Sequence, residues 1–299
     1  IGRARYGLML REDGIVMDDG TTTRLGEDHF FMTTTTANAA KVMQHLEFCH
    51  QWLWPDLDVQ MISATEQWAQ FSLAGPHVRD VLLKLVDPEH DISNVAFPYM
   101  AAGDITVCGG TRARLYRLSF SGELAFEIGV PSRHGDALIR KIMEAGAEYG
   151  ITPYGTEALG VMRIEKGHVA GAELNGISTA GDLGLGRMMS TKKDYIGRVL
   201  AGRPALVDPN RPVVVGFRPV DRKRRIRAGA HFIRQGLEAN AQNDEGYMTS
   251  VAFSPSIGHW IGLGFLAHGP ERMGEIIRAC DPIRGEEYLV EVVSPIFYD

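Results

Sequence analysis

The sequence predicts an α+β protein whose C-terminal part is a β-barrel. In the first two thirds, segments rich in β-branched and aromatic residues alternate with segments that carry apolar residues at helical spacing. The dipeptides Arg203-Pro204, Asp208-Pro209 and Arg211-Pro212 then mark a linker, and short apolar segments with many glycines follow. We therefore expect an N-terminal α+β region over residues 1–202, with one or two subdomains, and a barrel domain over residues 203–299.

The opening residues predict three strands and a helix. Arg5–Leu10 and Ile15–Met17 are apolar extended segments, and the polar residues Asp18-Asp19-Gly20 predict a turn after the second one. Phe30–Met32 leads into four threonines and predicts a strand. Ala37–Leu46 carries apolar residues at helical spacing and predicts a helix.

The remaining elements are predicted in the same way, from the alternating pattern typical of strands and from the spacing of apolar residues typical of helices. In the α+β region we expect strands at Gln67–Leu73, Gly103–Cys108, Ala113–Leu118 and Ala125–Val130, and helices at His77–Val86, Arg133–Tyr149 and Thr156–Lys166. In the barrel we expect strands at Val213–Phe217, Gly246–Val251, Ile261–Phe265 and Glu287–Val293.

Composition narrows the class of protein. Hydrophobic residues make up 44% and charged residues 23% of the chain, which is typical of a globular protein. The net charge of −6 disfavours nucleic acid as the main partner, and no apolar run is long enough to span a bilayer. The cysteines Cys49, Cys108 and Cys280 are widely separated and suit neither a disulfide framework nor a zinc site, so we expect no metal and a cytoplasmic location. The start at Ile1 leads us to expect a piece of a longer polypeptide.

Two further motifs have ordinary interpretations. The basic run Arg222 to Arg227 could bind an anion, but a run of this length is more often a solvated loop. Gly184-Leu185-Gly186-Arg187 lacks the remaining glycines of a dinucleotide-binding fingerprint, so a phosphate cradle is disfavoured there.

Five charged residues stand out because they interrupt or end apolar elements. Asp18 and Asp19 follow a strand, and at least one of them could meet a ligand at its end, or the two could form a simple turn. Glu127 lies within a strand and could bind a ligand or face water. Arg163 and Glu165 lie in an apolar helix, where each could also pair with a neighbouring residue for structural reasons.

The motifs together resemble the folate-dependent aminomethyltransferases, the family of the glycine-cleavage T-protein. The resemblance rests on Tyr6–Leu10, Gly14–Gly20, Leu73–Pro76, Ser119–Ile128, Met162–Gly167 and Met248–Gly258, in that order and at similar spacing. Within the family, Ile164–Gly171 and Asp182–Met188 are most similar to the C-terminal part of the α subunit of heterotetrameric sarcosine oxidases.

The resemblance implies a site for tetrahydrofolate. Asp18 matches the family's central aspartate, whose charge stabilises a cationic one-carbon unit and helps to move a proton. Glu127 matches the carboxylate that binds the pterin, while Arg163 and Tyr6 match other residues of the folate site. Two further positions of the site differ from the usual family residues: Phe120 replaces a tyrosine and Thr35 replaces an asparagine.

The resemblance also implies a reaction and partners. Sarcosine is oxidised by a flavin elsewhere in the complex, and the folate module captures the one-carbon unit as 5,10-methylenetetrahydrofolate. We therefore expect tetrahydrofolate and other sarcosine oxidase subunits as partners, flavin and NAD outside this chain, and no oxidase activity from this chain alone. Two alternatives stay open: a free-standing aminomethyltransferase or demethylase, and a non-catalytic interaction module, which the substitutions at Phe120 and Thr35 favour.

Overall fold

The computed structural model describes residues 1–298 and confirms the α+β class with a C-terminal β-barrel. The strands are β1 (Arg3–Leu10), β2 (Val16–Arg24), β3 (Phe30–Met32), β4 (Trp68–Ala74), β5 (Ala102–Val107), β6 (Thr111–Tyr116), β7 (Ala125–Pro131), β8 (Pro212–Pro219), β9 (His231–Ile233), β10 (Asp244–Ser254), β11 (His259–Ala267), β12 (Ile276–Asp281) and β13 (Glu286–Val293). The α-helices are α1 (Ala39–Phe48), α2 (Val78–Leu83), α3 (Gly135–Gly146), α4 (Thr156–Glu165) and α5 (Arg198–Ala201). The segment from Cys49 to Leu53 extends α1 as a π-helix.

The predicted turn at Asp18-Asp19-Gly20 is wrong, because β2 continues through these residues to Arg24. The end of β2 pairs with β3, where Thr22 lies opposite Met32. Gly20 permits this continuation, since a Cβ atom there would collide with the carbonyl oxygen of Thr33. The two aspartates therefore occupy consecutive strand positions and point to opposite faces.

The helix predicted over His77–Val86 is shorter than expected. It is observed as α2, and the residues after it pair with a strand instead. Val86 forms an isolated bridge with Val107, and the N–H of Asp87 donates to the carbonyl of Thr106. Pairing with β5 therefore ends the helix at Leu83, although apolar residues continue at helical spacing as far as Val86.

The described chain forms two compact units that are not continuous in sequence. The first contains residues 1–7, 18–119 and 123–153; the second contains residues 8–17, 120–122 and the described chain from Tyr154 onward. The first unit is built on an antiparallel sheet in the order β4-β7-β6-β5. Its core joins that sheet to α2 and α3 and includes Leu82, Leu115, Phe126, Ile128 and Ile142.

The second unit contains the predicted barrel, a closed six-stranded sheet in the order β10-β11-β8-β13-β12-β9. Four strands were predicted, and β9 and β12 were missed. β9 has only three residues, and the charged Arg278 interrupts β12, although Ile277 and Ala279 on either side of it are buried. Both strands are needed for closure, since β9 pairs with β10 and with β12.

Helix α4 packs against the outside of this barrel within the second unit. Ile164 lies in a buried cluster with Ala252, Ile261 and Leu263. The predicted boundary between residues 202 and 203 stays a prediction. In the described part of the chain, no helix combines the length and the apolar character that crossing a membrane requires.

Candidate functional site

The carboxylate of Asp18 is completely buried in the first unit. Its Oδ2 accepts a hydrogen bond from the backbone N–H of Thr35 at 3.0 Å. Its Oδ1 accepts one from the side-chain amide of Asn38 at 3.2 Å. These two hydrogen bonds to Asp18 hold the segment between β3 and α1 against strand β2.

The neighbouring carboxylate, Asp19, has different surroundings. It is only partly buried, and its Oδ2 accepts a hydrogen bond of 2.7 Å from the hydroxyl of Tyr6. Burial raises the pKa of Asp19 and the charge of Asp18 raises it further, while the Tyr6 and Thr35 side chains oppose the shift. Burial and the charge of Asp19 in turn raise the pKa of Tyr6, which keeps its hydroxyl protonated and able to donate.

The structure brings Tyr6, Asp18 and Thr35 close together. The cluster also contains Asp19, which the sequence offered beside Asp18 without a separate role, and Asn38, which was not predicted. Asn38 precedes the first residue of α1, a position where asparagine is common, and that preference is the only sequence signal for it. Its amide reaches Asp18, so the cluster contains an amide although Thr35 itself has none.

Glu127 lies on β7 of the same unit, at the centre of the sheet. Its Oε2 accepts a hydrogen bond of 2.5 Å from the amide of Gln70 on the neighbouring strand β4. Burial raises the pKa of Glu127, and the bond from Gln70 only partly offsets this effect. Among the ion pairs of residues 1–298, none contains Glu127, so no protein cation neutralises this half-buried carboxylate.

Contacts within the first unit connect Glu127 to strand β2. Tyr116 on β6 lies opposite Glu127 in the sheet register. The ring of Tyr116 stacks on Phe31 of β3 with 5.9 Å between ring centroids. Phe31 lies opposite Thr23 of β2, the strand that also carries Asp18.

Arg163, on α4 of the second unit, is held by protein groups. Its guanidinium forms an ion pair of 2.9 Å with Glu173 and donates to the hydroxyl of Ser250 at 2.7 Å. It also donates to the carbonyl of His168 at 3.1 Å. These bonds correspond to the structural alternative that the sequence left open for Arg163.

Glu173 is the centre of this arrangement and is completely buried. It accepts hydrogen bonds from Arg163, from the N–H of Ala170, and from the hydroxyls of Thr249 and Ser250. Every carboxylate oxygen is therefore bonded to the protein. Residues of the family motif on β10 thus contact residues of the family motif in α4, as Ser250 contacts Arg163. This contact is a structural reason for the spacing within both motifs.

Glu165 and Phe120 also have defined contacts in the second unit. Buried Glu165 accepts a hydrogen bond of 2.5 Å from the hydroxyl of Ser254. The ring of Phe120 is 40% exposed and stacks on His168 with 5.8 Å between centroids. The Nδ1–H of His168 donates to the carbonyl of Phe120 at 2.8 Å.

The basic run from Arg222 to Arg227 is a loop, as predicted, but it is not simply solvated. Arg222 pairs with Glu291, and both Arg224 and Arg227 pair with Glu286. The guanidinium of Arg225 lies 5.0 Å from the centroid of the Trp260 ring. Arg222, Lys223 and Arg225 are exposed, as expected for a solvated loop face, while Glu286 and Glu291 of β13 hold three of the arginines in ion pairs. In the described chain, no group of three or more potential ligands is arranged to hold a metal ion.

Two family models match the chain and together cover nearly all of it. Residues 1–193 match the GCVT N-terminal domain, and residues 213–299 match the glycine cleavage T-protein C-terminal barrel domain. With its mixed sheet-and-helix units and closed barrel, the chain belongs to the glycine-cleavage T-protein, or aminomethyltransferase, family.

Individual relatives within this family differ in how similar they are to the chain. The chain is 49% identical over 301 residues to the sarcosine oxidase subunit alpha of Rhizobium meliloti, with 100% of the chain and 30% of the relative covered. It is 40% identical to the corresponding subunit of Corynebacterium sp. strain U-96, covering 31% of that relative. The chain thus spans under a third of the length of these subunits. The aminomethyltransferase of Saccharopolyspora erythraea is 30% identical, with 100% of the chain and 77% of the relative covered.

A solved structure supports the fold. The crystal structure of aminomethyltransferase T from Bartonella henselae matches with a TM-score of 0.83 at 24% identity, covering 100% of this chain and 76% of that one. This likeness shows that the chain has the aminomethyltransferase fold.

Proposed function

We propose that the chain binds tetrahydrofolate and is the folate-handling part of a sarcosine oxidase α subunit. The observation that carries the proposal is Glu127, a half-buried carboxylate without a protein cation, in a chain of the aminomethyltransferase family. A desolvated carboxylate of this kind is costly unless a ligand donates hydrogen bonds to it.

The chemistry of a pterin fits this carboxylate. A reduced pterin has adjacent N–H donors in one plane, and a carboxylate can accept two such bonds side by side. Gln70 binds one oxygen of Glu127 and limits how the carboxylate can rotate. We infer that Glu127 recognises the pterin and that Gln70 positions Glu127.

The two aspartates suit different tasks. Asp18 was predicted to be catalytic, but its two oxygens already accept hydrogen bonds from Thr35 and Asn38. Asp19 is partly exposed and accepts a hydrogen bond from the hydroxyl of Tyr6. We propose that the pair acts together: Asp18 fixes the local backbone, and Asp19 stabilises the positive charge of the incoming one-carbon unit and handles a proton.

The similarity to sarcosine oxidase subunits supports the following proposed reaction. A flavin outside this chain would accept two electrons and a proton from sarcosine, which would leave the N-methylene iminium of glycine. Transfer to tetrahydrofolate forms 5,10-methylenetetrahydrofolate and releases glycine. We infer that flavin, NAD and the remaining subunits lie outside these residues, in a cytoplasmic complex, and that this chain alone does not oxidise sarcosine.

The assignment of Arg163, Phe120 and Thr35 to the folate site remains part of the proposal. The bonds of Arg163 to Glu173 and Ser250 favour a structural role for it. We also propose that the barrel domain begins near residue 203, between the ranges matched by the two family models.

Calorimetric titration of the chain with tetrahydrofolate under anaerobic conditions tests the proposal. We expect saturable binding by the unmodified chain and much weaker binding by Glu127→Gln, which preserves shape but removes the charge. Absence of binding to the folded chain would favour the non-catalytic interaction module. Folate-dependent demethylation by the isolated chain, without other subunits, would favour a free-standing enzyme.

A further inference from the structure

One segment of the first unit, residues 48–62, exposes many large apolar side chains. Trp52 is 74% exposed and Ile62 is 79% exposed. The exposed apolar residues are Phe48, Trp52, Leu53, Trp54, Leu57, Val59 and Ile62. Single exposed apolar residues are ordinary, but a concentration of them usually marks a surface that another molecule covers.

This segment is folded. The N–H of Trp54 donates to the carbonyl of Cys49 at 2.9 Å, and Cys49 is buried. The N–H of Leu57 donates to the carbonyl of Trp54 at 3.2 Å. The Nε2–H of His50 donates to the carbonyl of Leu57 at 2.9 Å. The segment therefore holds its apolar side chains in place, which lowers the entropy that a partner must overcome.

The second half of the segment has the pattern of a strand without a neighbouring strand. Apolar and polar residues alternate in Leu57-Asp58-Val59-Gln60-Met61, which is typical of a half-buried β-strand. The structure nevertheless places these residues in no helix or strand. Within residues 1–298, the N–H groups of residues 60–63 donate to no backbone carbonyl. Unpaired backbone groups of this kind can accept an added strand.

The charge of the surroundings restricts the partner. There is no lysine or arginine between residues 42 and 78, whereas Glu47, Asp56, Asp58 and Glu66 are acidic. Anionic lipid would be repelled by these carboxylates. A second copy of the chain, meeting this surface with the same surface, would bring like charges together. A partner with lysine or arginine next to its apolar residues would be complementary.

We propose that residues 48–62 bind an extended segment of another polypeptide, in which apolar residues alternate with lysine or arginine, and that this segment pairs with the unpaired backbone N–H groups of residues 60–63. The proposal does not depend on folate binding.

A fluorescein-labelled synthetic peptide that alternates valine and lysine serves as the probe. Its affinity for the chain is measured by fluorescence anisotropy, and protection of the amides of residues 60–63 is measured by hydrogen exchange. We expect binding with protection of these amides. A valine and glutamate peptide, and a valine and lysine peptide interrupted by proline, should each bind at least about tenfold more weakly.

Variants locate the site. Trp52→Ser and Ile62→Ser should each weaken binding by about tenfold or more, as for loss of an interface anchor. Ile283→Ser is the matched control, because Ile283 is 90% exposed on the barrel and should not affect binding. Tetrahydrofolate affinity should be unchanged in all three variants, so this test and the folate titration can fail separately.

Several results would overturn the proposal. They are absence of peptide binding, equal binding of the proline-interrupted peptide, and equal loss of binding in Ile283→Ser. Sedimentation that shows a dimer dissociated by Trp52→Ser would assign the surface to a second copy. Binding to vesicles of anionic lipid that is lost in the same variant would assign it to a membrane.

Discussion

Glu173 of the second unit and Glu127 of the first differ in how many protein donors they bind. Glu173 is fully buried and accepts bonds from an arginine, a backbone N–H and two hydroxyls. Glu127 accepts one bond from an amide, and burial raises its pKa. Both residues lie near family motifs, but a carboxylate that the protein satisfies completely has a structural task, whereas one left partly unsatisfied can bind a ligand.

The largest effect on stability is expected at Glu173, the carboxylate whose oxygens are all bonded to the protein. Glu173→Ala leaves the Arg163 side chain, which is only 12% exposed, without its partner, and loss of one member of a buried pair costs about 3–5 kcal/mol. Denaturant unfolding of the variant and the unmodified chain measures this loss. Arg140→Ala, which removes a fully exposed ion pair with Asp136, is the control and should change stability little. A stability loss at Glu173 no larger than at Arg140 would contradict the structural assignment.

The next effect separates the two aspartates. Asp19→Ala should reduce formation of 5,10-methylenetetrahydrofolate in the reconstituted enzyme by about a hundredfold, while folate affinity falls by about tenfold or less. Asp18→Ala should lower the unfolding free energy as well, because Thr35 and Asn38 lose their acceptor. If Asp18→Ala alone impaired transfer at unchanged stability, the catalytic role would belong to Asp18, as the sequence resemblance predicted.

A smaller effect concerns the charge of Glu127. Its raised pKa means that the carboxylate takes up a proton at higher pH than an ordinary glutamate. Tetrahydrofolate affinity should therefore weaken as the pH falls through this raised pKa, because the protonated group is a poorer acceptor. Glu127→Gln should bind about 10–100-fold more weakly at neutral pH and lose this component of the pH profile. Its pH profile also serves as the control for titration of the folate itself.

The same pKa shift gives a stability prediction with the opposite direction. Since the folded-state pKa is raised, the folded chain prefers the protonated carboxyl, and the associated stability is lost as the pH rises through that pKa. Glu127→Gln should thus be at least as stable as the unmodified chain at neutral pH. A large loss of stability in Glu127→Gln would show that Glu127 resembles Glu173 after all.

The smallest effect is expected in the basic loop. Replacing Arg225 by alanine should leave tetrahydrofolate affinity unchanged, because this residue contacts Trp260 of the barrel. Calorimetric titration measures the affinity, with Glu127→Gln as the variant that shows a loss. A strong loss in Arg225→Ala would indicate that the loop binds the anionic tail of folate.

The sequence by itself determined the α+β class, the barrel and the family. Strand and helix periodicities located most elements, because burial of one face imposes a period of two or of about 3.6 residues on the chain. The ordered motifs from Tyr6 to Gly258 identified the family, since their spacing reflects contacts such as those between α4 and β10.

Only the tertiary structure decided which charged residues are satisfied. Asp18 and Asp19 are adjacent in sequence, and nothing local distinguishes them; their difference depends on Thr35, Asn38 and Tyr6, which other segments supply. The partner of Arg163 is ten residues away and the hydroxyl of Ser250 is 87 residues away. The strands β9 and β12 likewise required barrel closure, because a short or charged strand acquires its pairing from neighbours and not from its own periodicity.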